Sequence, residues 1–173
     1  MKELKYLFLI IICLFILNSC HKVAQVSPIP QIEFKSFTII DTTDILGNNS
    51  KGGRLKFTFE DGDGDIGLNA PSLSDTLADS TNLFFTLFRK KGGVMVPAAD
   101  NDPLKPSAYR IPYMERLGQD KILKGTISVT FLYLFYSPAD TIRYDFYIKD
   151  RAENVSNVAS TNEIVLSVNG TYK

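Results

Sequence analysis

From Gln31 onward, apolar and polar residues alternate with a period of two. Leu55, Phe57 and Phe59 alternate with Lys56, Thr58 and Glu60. Ile127, Val129, Phe131, Tyr133 and Phe135 form the longest such row, and Ile142, Tyr144, Phe146 and Ile148 alternate with Arg143, Asp145, Tyr147 and Lys149. Ile164, Leu166 and Val168 close the chain. Successive side chains of a strand point to opposite faces, so each row predicts a strand with one buried and one wet face. Ile32 and Phe34 give way to Phe37 and Ile39, a change of parity that predicts a bulge or bend. Asn82 to Lys90 reads as a further strand, and Lys91-Gly92-Gly93 as a turn into Val94-Met95-Val96.

No window repeats convincingly every 3.6 residues, so helix content is expected to be low. Short strands separated by turn signals predict an all-β fold. The expected architecture is an immunoglobulin-like or fibronectin-III-like sandwich of about seven antiparallel strands over residues 31–173. The chain has no Trp and lacks a cysteine pair in this region, which excludes an antibody-type domain. Pro97 to Gly118 resists assignment to a strand; it holds Pro97, Pro103, Pro106 and Pro112, with Asp100, Asn101 and Asp102 near its start. It is expected to run as a long loop across one edge, with a helical turn at Tyr113 to Leu117 and with Tyr109 and Tyr113 pinning it down.

The chemistry concentrates in Glu60-Asp61-Gly62-Asp63-Gly64-Asp65-Ile66-Gly67, directly after a strand. Carboxylates at Asp61, Asp63 and Asp65 repel one another at close quarters, while the intervening glycines let the backbone turn its carbonyls inward. A hard cation relieves that repulsion. Ca²⁺ suits the loop best, because it accepts six to eight oxygens at about 2.3–2.6 Å, whereas Mg²⁺ demands a strict octahedron. The spacing is not that of an EF-hand: counted from Asp61, Ile66 stands where Gly is required and Ser72 where a bidentate Glu is required. Ile66 is expected to turn back into the core.

A second loop follows the strand that ends at Lys149 and reads Asp150-Arg151-Ala152-Glu153-Asn154-Val155-Ser156-Asn157. In an immunoglobulin-type order this loop and the acidic one leave the same end of the sandwich. Asp150, Asn154 or Asn157 can then complete a coordination sphere begun by Asp61, Asp63 and Asp65. The competing reading is a pair of solvated turns held by side-chain capping.

The N-terminus fixes an address. Lys2 and Lys5 precede an apolar run from Tyr6 to Leu17, followed by Asn18-Ser19-Cys20. A basic start, a short apolar stretch and a small residue before the cleavage point make a signal peptide of residues 1–19. Cys20 after Leu-Asn-Ser resembles the lipobox of bacterial lipoproteins, which implies lipidation at Cys20 and attachment to a membrane. Two acyl chains make a stable anchor where one is marginal. Residues 20–30 then form a lipidated tether stiffened by Pro28 and Pro30. Cys13 leaves with the signal, so the mature chain has no disulfide to rely on. Loss of residues 1–19 lowers Lys plus Arg from 19 to 17 and Asp plus Glu from 19 to 18, a net charge near −1. That balance gives no footprint for nucleic acid. The one histidine, His21, falls in the tether, away from any folded zinc site or catalytic triad.

The lipobox, the strand ending in FTFEDGDGDIG, and YDFYIKDRAENVSN followed by Thr161-Asn162-Glu163-Ile164 together resemble small envelope lipoproteins of the Bacteroidetes group. That resemblance implies an immunoglobulin-like sandwich in the cell envelope, at the outer membrane, and leaves the activity open. Asp150-Arg151-Ala152-Glu153-Asn154 is also similar to the Asp-x-Ala-Gly-Asn turn of bacterial immunoglobulin-like modules, with Glu153 in place of Gly. The expected function is non-enzymatic: a calcium-stabilised binding or scaffold module with a protein or glycan partner. A carbohydrate-binding role requires exposed tyrosines in a row, for which Tyr109, Tyr113, Tyr136 and Tyr147 are the candidates. No nucleophile elbow, phosphate loop or ligand-spaced His/Cys set points to catalysis.

Overall fold

The computed structural model describes residues 26–76, 80–115 and 121–173. The signal peptide, Cys20, His21 and the first part of the tether therefore lie outside the described residues, as does the end of the expected helical turn; Tyr113 to Glu115 are not helical. None of the described residues is in a helix long and apolar enough to cross a membrane.

The chain folds as an all-β sandwich of two antiparallel sheets. One sheet has the order β5-β2-β1-β9 and the other β4-β3-β6-β7, with β8 also paired to β6. The first sheet is built on the two longest strands, β1 (Gln31–Thr43) and β2 (Asn49–Asp61), with β5 (Leu123–Tyr133) on one edge and β9 (Gly170–Tyr172) on the other. The second contains β3 (Leu83–Lys91), β4 (Val94–Pro97), β6 (Thr141–Ile148), β7 (Ala159–Ser160) and β8 (Ile164–Val165). The parity change near Ser36 is a shift of register between β1 and β2, as the sequence predicts. Gly92 and Gly93 both have positive φ, 57° and 83°, the conformation a two-residue hairpin turn requires.

Among the described residues nine strands replace the expected seven or so, because the last one is broken. β7 and β8 lie on the same edge of β6, interrupted where Thr161 turns its hydroxyl to accept the Tyr144 amide at 3.0 Å. The chain then crosses to β1 as β9. Two ends of the predicted rows are corrected. Phe135 lies past β5 and is 74% exposed, and Val168 sits in a turn between β8 and β9 with half its surface in water. Periodicity counts matching positions, but burial needs a facing sheet, and neither residue has one.

The core forms where the two inner faces meet. Phe57 of β2 meets Phe146 of β6 with ring centroids 5.2 Å apart, and Phe37, Phe131 and Tyr144 stack beside them. Tyr109 of the long loop enters between the sheets, edge-on to Phe85 and to Phe131. Its backbone pairs with Leu83, so the loop is pinned by Tyr109 as expected.

Candidate metal centre

On β2 the inward positions run Leu55, Phe57, Phe59 and then Asp61; on β6 they run Ile142, Tyr144, Phe146, Ile148 and then Asp150. The next inward position after each apolar row is an aspartate. Because the rows face each other and end at the same pole, strand parity drives two carboxylates into the mouth of the core. Asp61 is 0% and Asp150 1% exposed.

The acidic loop supplies the third. It doubles back so that the amides of Asp65 and Ile66 donate to Asp61 Oδ2 at 2.8 and 3.2 Å. Ile66 inserts into the core and is fully buried, as expected. Asp61, Asp65 and Asp150 then each offer a carboxylate oxygen, and these oxygens lie within 4.8 Å of one another. Two ligands on one ion at about 2.4 Å can be at most about 4.8 Å apart, so the spacing admits one shared cation.

The second loop clamps the first. Ala152 N donates to Asp65 Oδ2 at 3.1 Å, and Arg151 Nη1 donates to the Gly67 carbonyl at 2.8 Å. The Arg151 guanidinium also lies over the Tyr113 ring, 5.2 Å from its centroid. Asp150 organises its own turn, accepting the Asn154 amide at 2.8 Å and the Asn154 Nδ2 at 2.9 Å. Glu153 completes that turn at φ 69°, so the left-handed conformation forms without the Gly of the related motif.

Burial and mutual charge set these carboxylates against one another. Asp61 Oδ1 and Asp65 Oδ1 are buried with no hydrogen-bond partner. A buried acceptor without a partner costs about 1–3 kcal/mol, and more when charged. Burial pushes the Asp61 carboxyl up to about 6 against the lowering effect of its two backbone amides, and the charges of Asp63 and Asp65 push it further. Burial likewise raises Asp65, with Asp150 and Asp63 adding to the shift and Arg151 opposing it.

Of the six candidate ligands, three converge. Asp63 stands beside the trio and acts on it through its charge. Asn154 is a cap for Asp150: its Nδ2 and amide both point there. Asn157 is engaged with another element. Its side chain pairs with β1, donating to the Ile32 carbonyl at 2.9 Å and accepting the Ile32 amide at 2.8 Å. An Asn that can pair with both groups of one strand residue satisfies them together, and the sequence places no mark on Ile32 to announce it.

A second charged group escaped the sequence reading. Arg89 grips Asp102 through Nε and Nη2 at 2.5 and 2.8 Å, and Asp140 through Nη1 at 2.7 Å. It ties the long loop to β3 and to the start of β6, at the opposite pole from Asp150. Only the acidic run at Asp100–Asp102 hinted at it.

The candidate sugar platform does not assemble. Tyr109 and Tyr136 are half-buried and pack against the core, Tyr113 lies under Arg151, and Tyr147 stacks on Phe84 with centroids 5.1 Å apart. Comparison with protein-family models, with curated proteins and with solved structures finds no match to the chain.

Proposed function

We propose that this chain is a lipid-anchored cell-envelope protein whose sandwich is stabilised by calcium at one pole and which acts in binding or as a scaffold. The observation that carries the calcium reading is Asp61: fully buried, with an unpartnered oxygen, beside Asp65 and Asp150. Removing a carboxylate this deeply from water is costly unless a counter-charge meets it. Ca²⁺ meets three at once and tolerates the irregular shell that loops provide.

The anchor rests on Leu17-Asn18-Ser19-Cys20 and the apolar run before it, and the outer-membrane address on the envelope lipoproteins that the sequence resembles. The strand orders β5-β2-β1 and β4-β3-β6-β7 support a fibronectin-III-like sandwich, with β2 and β6 as its second and sixth strands. A binding role draws support from the pole away from the carboxylates. Ile40 and Leu132 flank Gly52 on adjacent strands, and Ile45, Leu46, Leu134 and Phe135 project nearby into water. Exposed apolar clusters of this kind mark interaction surfaces. A glycan partner is the weaker reading, since the tyrosines form no common plane.

A thermal melt of residues 20–173 in EDTA and in rising Ca²⁺ or Mg²⁺ tests the central claim. A ligand that binds only the native state stabilises it by about 2.7 kcal/mol at a hundredfold excess over Kd. A shift selective for Ca²⁺ is expected; an unchanged melt at millimolar Ca²⁺ refutes the site.

A further inference from the structure

The root of the N-terminal segment is seated on the acidic loop itself. Gly62, between Asp61 and Asp63, donates its amide to the Ser27 carbonyl at 2.9 Å. The approach is so close that a methyl group at position 62 would stand 2.3 Å from the Val26 oxygen and 2.5 Å from the Ser27 oxygen. Only glycine admits this contact. Ser27 Oγ accepts the Ile29 amide at 3.0 Å, and the chain enters β1 with Gln31 opposite Glu60. One residue on, Asn157 holds both backbone groups of Ile32. The two loops that supply the carboxylates thus also grip the segment by which the chain arrives.

We propose that the carboxylate centre is a cation-operated latch for residues 26–30, an inference that rests on the calcium reading above. Cation binding draws Asp61 and Asp65 together and holds the loop between them in the one path that presents the Gly62 amide to Ser27. Without the cation, repulsion among the carboxylates works against that path, so the Gly62–Ser27 hydrogen bond is made for a smaller share of the time. Latched, six residue steps separate Cys20 from Val26, a reach of at most roughly 22 Å; released to Gln31, the eleven steps reach at most roughly 40 Å. For a chain lipidated at Cys20, the cation therefore sets how far the domain stands off the bilayer and turns the carboxylate pole toward it.

The processed chain, residues 20–173, has Cys20 as its single thiol, since Cys13 is removed with the signal. A nitroxide on Cys20 of the ¹⁵N-labelled chain reports the latch directly through the broadening of amides near Gly62. Broadening at residues 61–67 at least twofold stronger in Ca²⁺ than in EDTA is expected. In Asp61→Asn, which removes a carboxylate from the centre, that difference should shrink at least twofold together with the Ca²⁺-dependent rise in melting temperature. If Ca²⁺ raises the wild-type melt but leaves the broadening unchanged, the latch is refuted and the calcium site stands. If Ca²⁺ does neither, the calcium reading falls and the latch with it.

Discussion

The amide of Asp65 donates to Oδ2 of Asp61 at 2.8 Å, while Oδ1 of each of these carboxylates is buried without a partner. The backbone thus draws together two groups whose charges push apart. That tension gives Asp61→Asn opposite effects in the two states. The Asn oxygen can still accept the Asp65 and Ile66 amides, and its NH₂ can donate toward the neighbouring carboxylates. In EDTA at pH 7 the variant should melt above the wild type. A carboxyl displaced by about two pKa units corresponds to at most about 3 kcal/mol, or up to roughly 6–12 °C in a domain of this size. If the centre binds Ca²⁺ as proposed, the order should reverse with Ca²⁺, because the variant lacks one of the three carboxylates. Scanning fluorimetry in both buffers decides it, and an Asn variant less stable than wild type in EDTA would sink the account.

The same carboxyl predicts an unusual pH dependence. Asp61 titrates at about 6 when folded, against about 3.9 in an unfolded chain. Between those values the native state keeps a proton that the unfolded state has lost, so stability rises as pH falls from 7 toward 4 and levels off below. Asp102, which burial tends to raise but Arg89 and the Leu104 amide hold below its usual value, has the opposite dependence and loses its contribution only toward lower pH. In EDTA the melt at pH 5 should therefore exceed that at pH 7. With Ca²⁺ present, protons compete with the metal and pH 7 should be the more stable. A melt in EDTA that falls steadily from pH 7 to 5 would contradict the assignment.

The Arg89 fork anchors the long loop. Asp102, held by two nitrogens of Arg89, accepts the Leu104 amide at 2.9 Å, and the Leu104 carbonyl accepts the Tyr144 hydroxyl at 2.9 Å in the core. Arg89→Ala leaves Asp102 and Asp140 without their counter-charge although their side chains are only 11% and 17% exposed. Loss of one partner of a buried pair costs about 3–5 kcal/mol, and this partial exposure brings the expected cost to about 2–3 kcal/mol. Lys at 89 should recover little, since an ammonium cannot make the planar fork. Limited proteolysis should cut within residues 97–115 before the sandwich unfolds; cleavage that tracks global unfolding would show the fork does not pin the loop.

Much of the site was written in the strand rows. Leu55-Phe57-Phe59 and Ile142-Tyr144-Phe146-Ile148 each extend by two to an aspartate, so the parity that reveals the strands also aims Asp61 and Asp150 inward. Asp65 was legible as part of DGDGD, and Ile66 as its apolar anchor. The partners that escaped are those joined across long separations. Asn157 meets Ile32 across 125 residues and Arg89 meets Asp140 across 51. Their side chains are ordinary loop and strand residues with no local pattern. Phe135 was misplaced for the converse reason: it keeps the period of its row after the facing sheet has ended.

Glu153 closes the turn that presents Asp150, and it does so at φ 69°, the one positive φ among the described non-glycine residues. A left-handed residue with a Cβ is strained by roughly 1 kcal/mol or more relative to glycine. Its side chain gives back little: the Lys149–Glu153 pair, at 2.6 Å, joins a carboxylate that is 73% exposed, where solvent screens most of the attraction. Glu153→Gly should therefore stabilise the domain by about 0.5–1 kcal/mol, even though glycine also loosens the unfolded chain. Glu153→Val, branched at Cβ, should destabilise it by more than that. Both effects should be larger in Ca²⁺ than in EDTA, because the turn that Glu153 completes orients Asp150 toward Asp61 and Asp65. Equal melts for the Gly and Val variants would mean that the turn relaxes to another conformation, and that Asp150 is not held by it.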